Sequence, residues 1–128
     1  MRVKSVKLKD VDGKEHDYEI TPFGGRQGLS LAREILPLFD GVVTVISGDT
    51  HIDITRALKS VASILDEDTI TTLLSQTSRD GRKLTIAAVD EVYMANYSEL
   101  LQALFEVLTL NFGSIITDSG KLKELVDL

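Results

Sequence analysis

The sequence predicts an α+β protein, mainly helical, in which an N-terminal β-hairpin is followed by a bundle of about four to five helices. Three observations predict it. Residues 6–20 alternate apolar with charged side chains around an Asp-Gly turn, the pattern of two paired strands. From Thr21 onward, apolar residues recur at three- and four-residue spacing in successive stretches, which is the helical period. The stretch from Asn96 to Gly113 is helical in pattern and apolar around well over half its circumference. At 128 residues the chain reads as a single domain, with a hairpin over 1–20, a helical body over 21–118 and a loose tail over 119–128.

The hairpin can be read to its register. Val6 and Leu8 alternate with Lys7 and Lys9; His16, Tyr18 and Ile20 alternate with Glu15, Asp17 and Glu19. A two-residue Asp12-Gly13 turn would set Leu8 opposite Asp17 and Lys7 opposite Tyr18, mixing the faces. A three-residue loop, Val11-Asp12-Gly13 with Gly13 left-handed, sets Lys9 opposite Glu15 and Lys7 opposite Asp17. It also sets Leu8 opposite His16 and Val6 opposite Tyr18. That register keeps one apolar face and one charge-paired face, and it is the expected one.

A helix should follow, with Thr21 as cap, Pro22 in the first position, and Leu29, Leu31, Ala32, Ile35 and Leu36 on its apolar side until Pro37 interrupts it. Gly24, Gly25 and Gly28 weaken the first turns and favour a later start. Val42 to Ile46, β-branched between Gly41 and Gly48, reads as a strand, although period alone also allows a short buried helix. Asp53 opens a helix with Ile54, Leu58, Val61 and Leu65 on one side. Asp66-Glu67-Asp68 suits the N-terminal turn of another, with Ile70, Leu73, Leu74 and Thr77 together. Asp80-Gly81 is a turn, Leu84 to Ile86 is briefly extended, and Val89 to Met94 is a short helix.

Asn96 or Ser98 caps the last helix and Gly113 ends it. Between them only Glu99, Gln102 and Glu106 are clearly polar. The segment is too short to cross a bilayer, which takes about 20 apolar residues. Two readings stay open: the central helix of the fold, or a helix with a second face kept for another protein chain.

Composition narrows the function. The chain is 43% hydrophobic and 27% charged, so it should fold. It has no cysteine, which removes disulfides, thiolate metal sites and a cysteine nucleophile. Net charge is −6, and Arg79, Arg82 and Lys83 form the one evident basic group, so nucleic acid is not an expected partner. The N-terminus lacks the apolar core of a signal peptide, no membrane partner is expected, and a cytoplasmic protein is the default.

Candidate chemistry is thin. Gly24, Gly25 and Gly28 lie between a strand and a helix, an order that can cradle an anion on helix amides. No Gly-Lys-Ser/Thr follows and dinucleotide spacing is absent, so a flexible helix start accounts for them better. A small anion- or nucleotide-binding protein or enzyme using the Gly24–Gly28 turn is the alternative reading. Asp49, His51 and Asp53 alternate and could ligate a metal, but a fourth ligand at recognisable spacing is missing and Asp53 serves as a cap. His16 reads as a half-buried strand histidine rather than a general base, and no G-x-S-x-G elbow exists. No catalytic residue, cofactor or metal site is expected.

Leu73-Leu74-Ser75-Gln76-Thr77, Asp90 with Tyr93-Met94, Asn96-Tyr97-Ser98-Glu99-Leu100 and Asn111-Phe112-Gly113 resemble the tail assembly chaperones of long-tailed bacteriophages. The opening hairpin with Ile20-Thr21-Pro22 is also similar. Ser114-Ile115-Ile116 departs from the aromatics frequent in that family. The resemblance implies a non-enzymatic protein that binds the tape measure protein before the tube forms around it, self-associates along it, and is displaced by tail tube subunits. It implies action in the bacterial host cytoplasm and absence from the mature virion. It further implies a frameshift-extended form as partner, and Gly120-Lys121 is compatible with a slippery codon run. A permanent structural tail protein is a further alternative. The expected contact or self-assembly face is Tyr97, Leu101, Phe105, Leu108 and Phe112, on one side of the last helix.

Overall fold

The computed structural model describes residues 3–35 and 65–117, and for 114–117 the helical backbone alone. The readings for Leu36 to Ile64, including the strand at 42–46, the Asp53 helix and the Asp49, His51 and Asp53 trio, lie outside the described residues, as does the tail from 118.

The hairpin forms in the expected register. β1 (Lys4–Lys9) and β2 (Glu15–Ile20) are antiparallel, with Lys9 opposite Glu15, Lys7 opposite Asp17, Leu8 opposite His16 and Val6 opposite Tyr18. The Asp10 amide donates to the Lys14 carbonyl at 2.9 Å, and Gly13, at φ 82°, donates to the Asp10 carbonyl at 3.0 Å. A left-handed glycine closing a three-residue loop matches the right-handed twist of the strands. Asp10 completes the loop by accepting the amides of Asp12 and Lys14, each at 2.9 Å. Leu8, His16, Tyr18 and Ile20 are buried on one face, while Ser5, Lys7, Lys9, Glu15, Asp17 and Glu19 are exposed on the other.

The helical bundle is a correction. After α1 (Gly25–Ile35) and α2 (Glu67–Leu74), the chain returns to the sheet as β3 (Thr77–Arg79) and β4 (Arg82–Lys83). The result is a four-stranded antiparallel sheet in the order β1-β2-β3-β4, with the helices packed against its buried face. α3 (Ile86–Val92) and α4 (Tyr97–Thr117) complete the described elements. The physical reason lies in one turn. Asp80 and Gly81 both have positive φ, 51° and 81°, the geometry of a two-residue hairpin loop that joins twisted strands tightly. Thr77, expected on the helix α2, therefore stands in β3 opposite Ile20.

Helix boundaries follow their caps. Asp66 accepts the Thr69 amide at 2.8 Å and starts α2. Thr85 accepts the Ala88 amide at 3.3 Å and starts α3 at Ile86 rather than Val89. α1 starts late, at Gly25, rather than at Pro22, and buries Leu31, Ala32 and Ile35. The core joins these to Leu73, Leu74, Leu84, Ala88, Leu104 and Val107 between sheet and helices.

Among the described residues, Thr77 carries a buried side-chain oxygen with no hydrogen-bond partner. A buried hydroxyl without a partner costs about 1–3 kcal/mol. Thr77→Val is expected to raise the unfolding free energy by about 1 kcal/mol, read as a higher urea midpoint; a lower midpoint would count against that reading of the site.

Candidate functional site

α4 carries the residues expected to meet a partner. About 100° per residue puts Tyr97, Leu101, Phe105, Leu108 and Phe112 within an arc of about 80°. They share a direction but not an environment. Tyr97 is 66% exposed; Leu101 and Phe105 are half-buried; Leu108 and Phe112 are in the core. The face is open at its N-terminal end and covered toward its C-terminal end, where the Phe23 amide, just before α1, donates to Asn111 at 3.0 Å. The side of α4 that turns furthest outward holds Ser98, Gln102, Phe105 and Thr109, while Ala103, Leu104 and Val107 form the buried stripe.

Two exposed apolar residues join Tyr97 at the open end. Met94, 75% exposed, lies two positions before Asn96, and Val11, 58% exposed, donates its amide to the Asn96 side chain at 3.1 Å. Met94 stands in the Tyr93-Met94 pair that carries the family resemblance; Val11 is a loop residue whose placement depends on a tertiary contact, so no periodicity could have found it.

Beneath this end lies a buried polar cluster that fixes where α4 starts. Glu99 is 0% exposed. Its carboxylate accepts from Arg79 Nε at 2.6 Å and Nη2 at 3.2 Å, from Asn96 Nδ2 at 3.1 Å, and from the Tyr18 hydroxyl. Tyr93 donates to the Tyr18 oxygen at 2.9 Å. One carboxylate thus ties β2, β3, the end of α3 and the start of α4 together. Burial alone pushes Glu99 up, but the bonds from Arg79, Tyr18 and Asn96 outweigh it and hold the carboxyl below its usual range. Burial also pushes the Tyr93 hydroxyl up to about 12 and the Tyr18 hydroxyl further, so both stay protonated. Ala95 takes the left-handed conformation, φ 52°, in the sharp link between α3 and α4. That is a strained choice for a residue with a Cβ, and the bonds on either side of it hold it in place.

His16 bridges two acids on the same side. Nε2 meets Asp10 Oδ2 at 2.8 Å and Nδ1 meets Asp80 Oδ2 at 2.6 Å. Ionised carboxylates only accept, so the protonated ring, with both nitrogens donating, is the form that satisfies both contacts. The Asp10 bond raises the His16 pKa most; burial opposes it, Asp80 supports it, and Arg79 and Glu99 add opposed smaller effects. The same bonds lower Asp10 and Asp80. A raised histidine contributes stability that is complete below its unfolded value, about 6.5, and fades as pH rises through the folded value. The lowered aspartates contribute above their ordinary value, about 3.9, and lose it as pH falls. The triad should therefore stabilise most between about pH 4 and 6.5. A His16→Gln variant is expected to lose the downward slope of stability that the parent shows above pH 6.5; identical slopes in urea titrations across that range would contradict the triad.

Asp10, His16 and Glu99 are the described residues whose ligand atoms lie closest to a metal-holding arrangement, within 4.8 Å of one another. They suit a metal poorly. Both His16 nitrogens are already bonded, both Glu99 oxygens accept from other donors, and the Arg79 guanidinium would repel a cation. At the glycine turn, the Gly28 amide donates to the Gly24 carbonyl at 2.8 Å and the Phe23 amide to Asn111. Among the described residues no helix is long and apolar enough to cross a membrane.

A polar cluster closed on itself thus lies beneath an apolar helix end that is exposed at Tyr97 and Met94. The family model for phage tail assembly chaperone protein, TAC, matches residues 13–123. The chain belongs to that family of phage tail assembly chaperones. No curated protein and no solved structure matched it.

Proposed function

We propose that this chain binds the tape measure protein before the tail tube forms, keeps it soluble and helps recruit tail tube subunits, acting in several copies and without catalysis. One of those copies is the frameshift-extended form, and the site of action is the host cytoplasm, with no copy retained in the mature virion. The supporting observation is the open end of α4, where Tyr97, Met94 and Val11 expose apolar surface around a rigidly held helix start. Long helical targets expose apolar stripes, and a complementary apolar face on an acidic protein can cover them without aggregating. Repeated weak contacts along one target gain avidity through effective concentration.

The test is co-expression with the large helical protein encoded nearby, followed by a solubility assay and pull-down. Tyr97→Asp combined with Phe105→Asp is expected to leave the tape measure protein in the pellet while the variant still shows a cooperative melting transition, lowered but well above the assay temperature. Undiminished capture by that variant would sink the assignment of the face. Capture lost together with folding would place the face in the core instead.

A further inference from the structure

We propose a second docking site, the trough between α2 and α3, which takes an amphipathic helix of a partner protein, apolar on one side and flanked by Lys or Arg. It goes beyond the tape-measure reading, because it uses a different surface. Two overlapping open depressions, of about 570 and 650 Å³, share Thr71, Thr72 and Ile86 and together run the length of α2. Their apolar lining is Ile70, Leu84, Val89 and Leu100, and Ile86 stands 66% exposed between them. An isoleucine so exposed at the first position of a capped helix stabilises nothing in the fold described.

The hydroxyl protons of Thr71, Thr72 and Ser75 along the trough are committed to backbone carbonyls. Thr71 donates to the Glu67 carbonyl at 3.0 Å, Thr72 to the Asp68 carbonyl at 2.9 Å and Ser75 to the Thr72 carbonyl at 2.6 Å. The polar character that remains is at the rim. Glu67, Asp68 and Asp90 line one depression, are exposed, and have no ion-pair partner among the described residues, while the exposed Lys83 lines the other depression. Glu67 and Asp68 suit the N-terminus of α2, but Asp90 is on α3 and has no such role. Apolar floor and an acidic rim of three carboxylates against one lysine together fit a segment whose buried side chains are aliphatic and whose cationic flank lies at the Glu67, Asp68 and Asp90 end. α2 has eight residues, about 12 Å of axis, which matches two turns of a docked helix.

The test titrates the full chain by NMR with a synthetic 14-residue helical peptide. Its leucines are spaced i, i+3, i+4 and i+7 with lysine flanks, and its control is the same peptide with glutamate flanks. Shifts are expected at amides 67–72 and 84–90 with the lysine-flanked peptide only. Ile86→Ser should weaken binding about tenfold. Glu67→Lys with Asp90→Lys should reverse the preference between the two peptides; all three changes are at exposed positions and leave the fold intact. Equal binding of both peptides, no binding at millimolar concentration, or shifts confined to residues 94–109 would overturn the proposal. So would concentration-dependent self-association that Ile86→Ser abolishes, since the occupant would then be a second copy. Failed tape-measure capture leaves this titration unaffected, so the two readings fail separately.

Discussion

Arg79→Met is expected to lower the unfolding free energy by about 3–5 kcal/mol, because it leaves Glu99 buried without its cation. The carboxylate has no exposed surface, and two of its hydrogen bonds come from Arg79. Domains of this kind are stable by only about 5–15 kcal/mol, so the variant should be marginal at room temperature. The sign of its pH dependence should also change. In the parent, Glu99 is held below its usual range, so its contribution is present above about 4.5 and lost as pH falls. Without Arg79, burial becomes the dominant influence and favours the protonated form. The contribution is then greatest below about 4.5 and fades as pH rises. Urea unfolding at pH 5 and pH 7 separates the cases: the variant should be relatively better at pH 5. Adding Glu99→Gln should recover much of the loss, since it removes the unpaired buried charge while keeping an acceptor for Tyr18 and Asn96. A loss below about 1 kcal/mol in Arg79→Met would mean the pair is solvated and the cluster does not organise the fold.

This cluster marks the boundary of what the residues alone make visible. The β1–β2 register was legible because every choice agreed: alternation, opposite charges at Lys7 with Asp17 and Lys9 with Glu15, and a glycine where the loop needs positive φ. β3 and β4 were not, because strands of three and two residues show no period. Ile70, Leu73, Leu74 and Thr77 fit helical spacing one residue too far, and the turn at Asp80-Gly81 was visible without its strands. A hairpin followed by a helical bundle was the consequence. Glu99 read only as one of three polar residues on an apolar helix, since its partner sits twenty positions away with no spacing to betray it. The one local hint was Asn96 three residues before it, on the same side of the helix. Wheel geometry groups the five α4 residues by direction alone. What covers that direction further along the axis is a property of the fold.

Leu104→Ala and Phe105→Ala, one residue apart, should have opposite consequences. Leu104 is fully buried between sheet and helices, so its truncation is expected to cost about 2–5 kcal/mol, with the spread set by how far α2 and the sheet relax into the cavity. Phe105 is half-buried on the outward side of α4, and its truncation should cost roughly half of the 1.5–3 kcal/mol that burial of a whole phenylalanine supplies. In the capture assay the order inverts. At a temperature where both variants are folded, Leu104→Ala should hold the tape measure protein as the parent does, and Phe105→Ala should release it. That outcome would resolve a helix apolar around most of its circumference into one side that folds the domain and one that meets a partner, which its composition alone could not separate. If Phe105→Ala were instead the more destabilising change and both variants captured equally, the outward side of α4 would belong to the core and the partner would have to bind elsewhere.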